Sequence, residues 1–466
     1  MSTLRAFNLQ GLQLGLSPFL QTEGQFTRLV NVDPYPIGAM SKRAGYGTTL
    51  NSVGGTVTSL WDWHNGSGTQ FWNYAASGGS VYYSTQGTGN WIIAGNGTMT
   101  DNARIGFGVL EETMLIGDGT AASRHTTSGT DFTNTSAAPV AFDFQDYTDQ
   151  RMYAIGSQQL FWSTPGTPTG WVTDSSSINI PGPGHLRSLM KVADRLVTTK
   201  NSGVMHRYDG YNLFDLSTKL GPSSPYSIGE IEDYRFYLNR KGYFGFDGNR
   251  PEIVSNSIRP QVYNDLGSGI VGGTFNNAPA VSHKYDYMCA VGTVTDDFTN
   301  ESIANCMQIY NYQLDNWRNY SMGTPVTAMW SYKDNNENEQ LIFGDNAGQC
   351  YLFGGTQTTD NGLPIESIME FLYHGGAPEL DKKWNYSWLF FNPGCQAHVQ
   401  YSYADTFVKG KKQWISAGDT ASGVVEIQHT AGAQSKLLLV KITESSRTAR
   451  FTYYGMACDY DPLPRR

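Results

Sequence analysis

The sequence predicts an all-β fold: a seven-bladed β-propeller with an N-terminal arm and a C-terminal β-sandwich domain. Three observations predict it. Glycine is abundant (52 of 466 residues), aromatics reach 13% and charged residues only 16%, the mixture of many strands joined by tight turns. Almost no stretch places apolar residues at helical spacing. A unit of strand, turn, strand, turn, strand also returns at roughly 40 residues, the period of radial four-stranded blades.

The unit is plainest in "RFYLNRKGYFGFDGNRPEIVS" (235–255), two apolar runs folded about Lys241-Gly242, then Asp247-Gly248 and a third run. It recurs at 70–94 about Gly78-Gly79, at 113–134 about Asp118-Gly119, at 151–173 about Gly156-Ser157 and at 195–217 about Ser202-Gly203. A less regular copy holds "YDYMCAVGTV" and "CMQIYNYQLDNWRNYSM", and the last, at 340–355, turns about Ala347-Gly348. Glycine at hairpin tips supplies the positive φ that type I′ and II′ turns require. A short fourth strand precedes each hairpin, from "TVTSLWDW" to "PVTAMWSY", rich in small or β-branched residues, as suits the crowded innermost place in a blade. An open β-sandwich would share the strand spacing. It would lack the returning order of small inner strand, aromatic hairpin and Gly/Asp turn.

The ends depart from the pattern. Residues 1–39 are punctuated by Gly and Pro with too few apolar positions for a core of their own, and read as an arm laid over the propeller or a neighbour. The propeller is predicted over 40–362. Its last blade lacks a convincing outer strand, and 40–51 has strand character without a hairpin, so 40–51 is expected to close that blade and leave no sticky edge. Residues 363–466 alternate apolar and polar positions without the blade period, as in a compact antiparallel sandwich, with Asp381-Lys382-Lys383-Trp384 turning into a strand.

Net charge is −9. Nucleic-acid binders normally show a positive footprint; here the compact basic spots are Lys42-Arg43 and the run 409–412, read as solvated strand ends and a hairpin tip. The start lacks a secretory signal and no apolar run is long enough to span a membrane, so a soluble protein made in a cytoplasm is expected. Cys289, Cys306, Cys350, Cys395 and Cys458 lack any C-x-x-C pair and read as plain buried thiols.

No motif points to catalysis. "STPGTPTGW" (163–171) has the shape of a sialidase Asp box without its Asp, and reads as a tight turn between the third and fourth strands of a blade. The eight histidines form no zinc pattern and no G-x-S-x-G elbow occurs. "KDNNENEQ" (333–340) and "TVTDDFTNES" (293–302) do not fit a calcium loop. "GDGTAAS" (117–123) lacks the Lys and helix of a phosphate cradle. Trp61, Trp63, Trp72, Trp91, Trp162, Trp171, Trp317 and Trp330 sit where blades pack and read as core, with sugar stacking the alternative. The sequence therefore assigns no catalytic, cofactor or metal residue and leaves ring or gate contacts unknown.

The arm "FTRLVNVDPYPIGAMSKRAGY", the Gly/aromatic blades, "GYFGFDGNRPEIVSNSIRP" and a C-terminal β domain opened by a charged residue, Lys and Trp together resemble β-propeller tail proteins of tailed bacteriophages. The types that fit are the tail nozzle and packaged-DNA stabilisation proteins of short-tailed phages. That resemblance implies a non-enzymatic virion protein. It would form a ring of itself, a hexamer, continuing the DNA channel, with adaptor and tail-fibre proteins as neighbours, and would take part in genome retention and ejection. An acidic chain repels the duplex, so packaged DNA would pass without tight binding. The loop "VTDDFTNESIA" (294–304) is the candidate gate. The alternatives are a carbohydrate- or receptor-binding propeller of the tail and a glycan-degrading propeller enzyme.

Overall fold

The computed structural model describes residues 9–14, 16, 20–36, 38–48, 51–65, 71–85, 90–172, 176–262, 269–270, 274–295, 302–375, 378–405, 413–420, 422–430, 433–448 and 451–463. They form a β-propeller whose blades follow the sequence repeat. Blade one is built from Val57–His64, Phe71–Ser77, Ser80–Thr85 and Ile92–Ile93. Blades two to five are likewise antiparallel and sequential, starting at Gly106, Asp143, Leu186 and Gly229. Blade six runs Ala280–His283, Asp286–Thr295, Ser302–Asn311 and Asn316–Ser321; blade seven runs Val326–Lys333, Glu339–Asp345 and Cys350–Phe353. Gly78 and Gly79 take φ of 53° and 74° at the first hairpin tip, the conformation the turn demands.

Period-2 alternation explains how blades stack. In Phe71–Ser77, Tyr74 and Ala76 enter a core shared with Phe107 and Met114 of blade two, whereas Ala75 between them faces Ile342 of blade seven. Each neighbouring pair of blades shares such a core. The last, uniting Ala328 and Ile342 with Val57 and Leu60, closes the circle from blade seven to blade one.

Near the axis the strands come so close that only glycine fits. A Cβ on Gly106 would lie 2.2 Å from the Phe142 carbonyl oxygen, and one on Gly344 would lie 2.5 Å from Val57. Gly106→Ala must therefore push blade two off blade three. We expect it to lower stability by about 1–3 kcal/mol, the usual cost of overpacking, measured by thermal or urea unfolding. An unchanged melting temperature would contradict so close an approach.

Where it is described, the N-terminal segment is not laid on the surface as an arm but built into the fold. Gln25–Val30 lies inside a sheet, parallel to Asn316–Ser321 of blade six on one side and antiparallel to Ser367–Tyr373 on the other. The sheet of blade six thus continues, without a break, into the C-terminal part through Ser367–Tyr373, Leu437–Glu444, His398–Ala404 and Ile415–Asp419. A second sheet orders Val32–Asp33, Met40–Lys42, Thr452–Pro462, Lys382–Phe391 and Val424–Gln428. The two face each other, with Phe371 and Tyr453 rings 5.7 Å apart and Tyr373 and Trp384 6.0 Å apart. Their core runs on into the interface of blades five and six. The few apolar residues of Gln25–Val30 need no core of their own, because distant segments supply both sides of the strand.

The predicted strand 40–51 is likewise divided. Met40–Lys42 pairs with Thr452–Pro462, and Tyr46–Thr48 pairs antiparallel with Cys350–Phe353 as the outer strand of blade seven.

Between those two strands sits the clearest departure from expectation. Lys42 and Arg43 are not solvated; both are buried. Lys42 Nζ meets Glu444 at 2.7 Å. Arg43 spends all five of its N–H donors: Nε on Asn31 Oδ1, Nη1 on the Ala44 carbonyl and Asp360, Nη2 on the Ser321 carbonyl and Asp360. The run 409–412 lies outside the described residues.

Candidate functional site

Residues in, or just before, the innermost strands of the blades line an axial cavity of about 250 Å3. Blade one contributes Trp61, blade two Phe107, blade three Asp143, blade four Arg187 and blade seven Trp330; Arg104, Tyr226 and Ala280 complete the wall from the segments that lead into or form the inner strands of blades two, five and six. The site follows from the repeat itself: blades arranged radially bring their innermost segments to a central channel.

Its chemistry is uneven. On one side Trp61 stacks on Phe107 at 5.7 Å and 7°, and meets Trp330 at 4.0 Å. Trp330 donates its indole N–H to Asp62 at 2.5 Å, whose carboxyl burial pushes above the ordinary range. Elsewhere on the wall Arg104 lies over the Tyr226 ring, 3.9 Å from its centre. Arg104 Nη2 donates to the carbonyls of Asn277 and Thr327, and Arg187 Nη2 to that of Asn276. Burial draws the Arg104 guanidinium down to about 10, opposed by Tyr226 and aided by Arg187; it stays charged at neutral pH.

Asp143 does not pair with either arginine. Its carboxylate accepts from the backbone N–H groups of Phe144 at 3.0 Å and Leu189 at 2.7 Å. Burial outweighs those bonds and lifts its pKa to about 7. Among the described residues, neither Arg104 nor Arg187 has a carboxylate within ion-pair distance, so the cavity holds two cationic groups beside one acid that titrates near neutrality.

The sequence motifs fall elsewhere. Residues 163–171 span the hairpin of Gln159–Thr164 and Thr167–Trp171, the third and fourth strands of blade three. In 117–123 the Asp118 carboxylate itself takes the N–H groups of Thr100, Thr120 and Ala121, which hold it down at about 2. Asp334 caps its own turn through Asn336 and Asn338. Of the candidate gate, residues 296–301 lie outside the described residues. Among the described residues no cluster of His, Cys, Asp and Glu could hold a metal ion, and no helix is long and apolar enough to cross a membrane. All five cysteines are free and buried. Trp63, Trp91, Trp171 and Trp317 are buried in core clusters, whereas Trp61 and Trp330 border the cavity.

By sequence the chain matches no family model and no curated protein. Among solved structures it is similar to YCF48 from Cyanidioschyzon merolae at 11% identity, with a TM-score of 0.43, covering 66% of this chain and 98% of that one. The WD40 β-propeller domain of Doa1 is similar at 9% identity and a TM-score of 0.41, covering 67% and 98%. The computationally designed Ika8 protein is similar at 11% identity and a TM-score of 0.41, covering 72% and 99%.

Proposed function

We propose that this chain is a non-catalytic structural protein of a bacteriophage tail, assembling as a ring, a hexamer, that continues the DNA channel and helps retain the packaged genome. The observation that carries the mechanical part is the unbroken sheet from blade six through Gln25–Val30 into the C-terminal part. A propeller joined to a second unit by a shared sheet and core has no hinge between them, which suits a part that must keep its shape against an internally pressurised genome. The tail assignment itself rests on the resemblance of the N-terminal, blade and C-terminal sequence segments to tail nozzle proteins.

The channel is formed by the ring and not by the axial cavity, which is far too small for a duplex. A net charge of −9 keeps the phosphates of passing DNA from sticking. Contact with adaptor and fibre proteins falls to the outer surface and the blade loops. The glycan-binding alternative is disfavoured because Trp61 is stacked on both Phe107 and Trp330, leaving less free aromatic face for a sugar.

Negative-stain microscopy and sedimentation of the purified protein test the assembly, and particles lacking it test the role. We expect rings, negligible duplex binding at about 0.15 M salt, and particles that package DNA but leak it. A protein that stays monomeric, grips DNA tightly at that salt, or is dispensable for DNA retention would overturn the reading.

A further inference from the structure

We propose that the axial cavity is a binding site for a small organic anion, an oxyanion head on a compact apolar body, held by Arg104 and Arg187 against the Trp61 and Phe107 wall. The inference stands apart from the tail assignment.

The first ground is charge. In a protein of net charge −9 two guanidiniums converge on one axial cavity near Tyr226, which feels both. Cations withdrawn from water are ordinarily paired with carboxylates, and Arg104 and Arg187 are half-buried. Here they are held by backbone carbonyls alone: Arg104 by Asn277 and Thr327, Arg187 by Asn276. Those bonds fix the position of each guanidinium while leaving its Nε and Nη1 donors to face other partners. Fixed, planar donors of this kind match the two oxygens of a carboxylate or the oxygens of a phosphate.

The second ground is that the cavity acid is turned away from them. Asp143 is occupied by the Phe144 and Leu189 amides, so it does not neutralise the pair. Burial also favours its protonated form, which lessens repulsion of an incoming anion.

The third ground is size and lining. About 250 Å3 exceeds the roughly 150 Å3 apolar cavity that takes up benzene. The wall also carries Trp61, Phe107 and Trp330, whose rings pack on one another and add an apolar lining. A ligand with one charged end and one compact apolar end fits this lining, and none of the site depends on a reaction.

Calorimetric titration of the full chain with benzoate, phenyl phosphate, inorganic phosphate and neutral benzamide tests the proposal. We expect saturable one-to-one binding of benzoate or phenyl phosphate, weaker binding of inorganic phosphate, and none of benzamide. A preference for benzoate over phenyl phosphate identifies a carboxylate head, and the reverse a phosphate head. Arg187→Gln should weaken the anion about tenfold or more, the scale of a lost charged hydrogen bond. Arg104→Gln is the harsher variant because it also frees two carbonyls; Arg187 holds one, so R187Q should keep its melting temperature. No saturable anion binding up to about 10 mM, equal binding of benzamide, or unchanged affinity in R187Q with its fold intact would overturn the proposal.

Discussion

Arg43→Ala is expected to cost about 3–5 kcal/mol of folding stability, the scale for removing one partner of a buried ion pair. The loss would come less from the attraction given up than from what is left behind. Asp360 would keep a buried carboxylate whose two oxygens had been 2.8 and 2.6 Å from the guanidinium. The Asn31 side chain and the Ser321 carbonyl would each lose a donor as well. Arg43→Lys should not restore stability, because an ammonium has three donors on one atom and cannot span partners arranged around a planar fork. Replacing both partners with apolar residues, Arg43→Met with Asp360→Leu, should recover part of the loss by removing the stranded charge. Lys333→Ala provides the contrast: its pair with Glu337 is exposed, and its loss should fall within about 0.5 kcal/mol. Urea unfolding at neutral pH measures all of these. An Arg43→Ala protein as stable as its parent would show that the clamp does not hold the junction.

Deleting residues 1–51 is expected to have a still larger effect, because it removes strands from three places at once. Without Gln25–Val30, the outer strand of blade six and Ser367–Tyr373 lose the segment between them. Loss of Tyr46–Thr48 exposes the edge of Cys350–Phe353. Removal of Lys42 leaves Glu444 buried without its cation. Unpaired edges of this length template association. The truncated chain should therefore elute as aggregate and melt well below the parent, while co-expression of residues 20–51 as a separate segment should restore a monodisperse species. A truncated protein with unchanged melting temperature and a single sharp elution peak would sink this account.

The blades were legible because their signals are local. A turn such as Gly78-Gly79 fixes a hairpin from two residues, and alternation fixes which side chains enter which core, so the repeat can be read without knowing its neighbours. The N-terminal segment was misread for the opposite reason. In Gln25–Val30, Thr27 and Arg28 are buried, yet Thr27 bonds the Glu370 carbonyl and Arg28 faces the Glu370 carboxylate. Polar residues that would mark a loop locally are satisfied by partners more than three hundred positions away. Lys42-Arg43 failed in the same way: a basic dipeptide is a surface signal until its carboxylates, at Glu444 and Asp360, come into place.

The axial site was legible only in part. Arg104 and Arg187 stand in "ARIGFGVLE" and "LRSLMKVA", two of the short strand segments of small and apolar residues that precede the hairpins. A charged residue at such a position is an anomaly that could have marked the axis. What the sequence by itself determined is the strand repeat, its turns and the alternation that makes a propeller of it, since these depend on backbone geometry over a few residues. What only the tertiary structure decided is the joining of the chain's two ends, the burial of Lys42 and Arg43, and the meeting of Arg104, Asp143, Arg187 and Tyr226. Each of these depends on contacts between segments far apart in the chain, which remove charged groups from water, and charge becomes costly or useful only once that has happened.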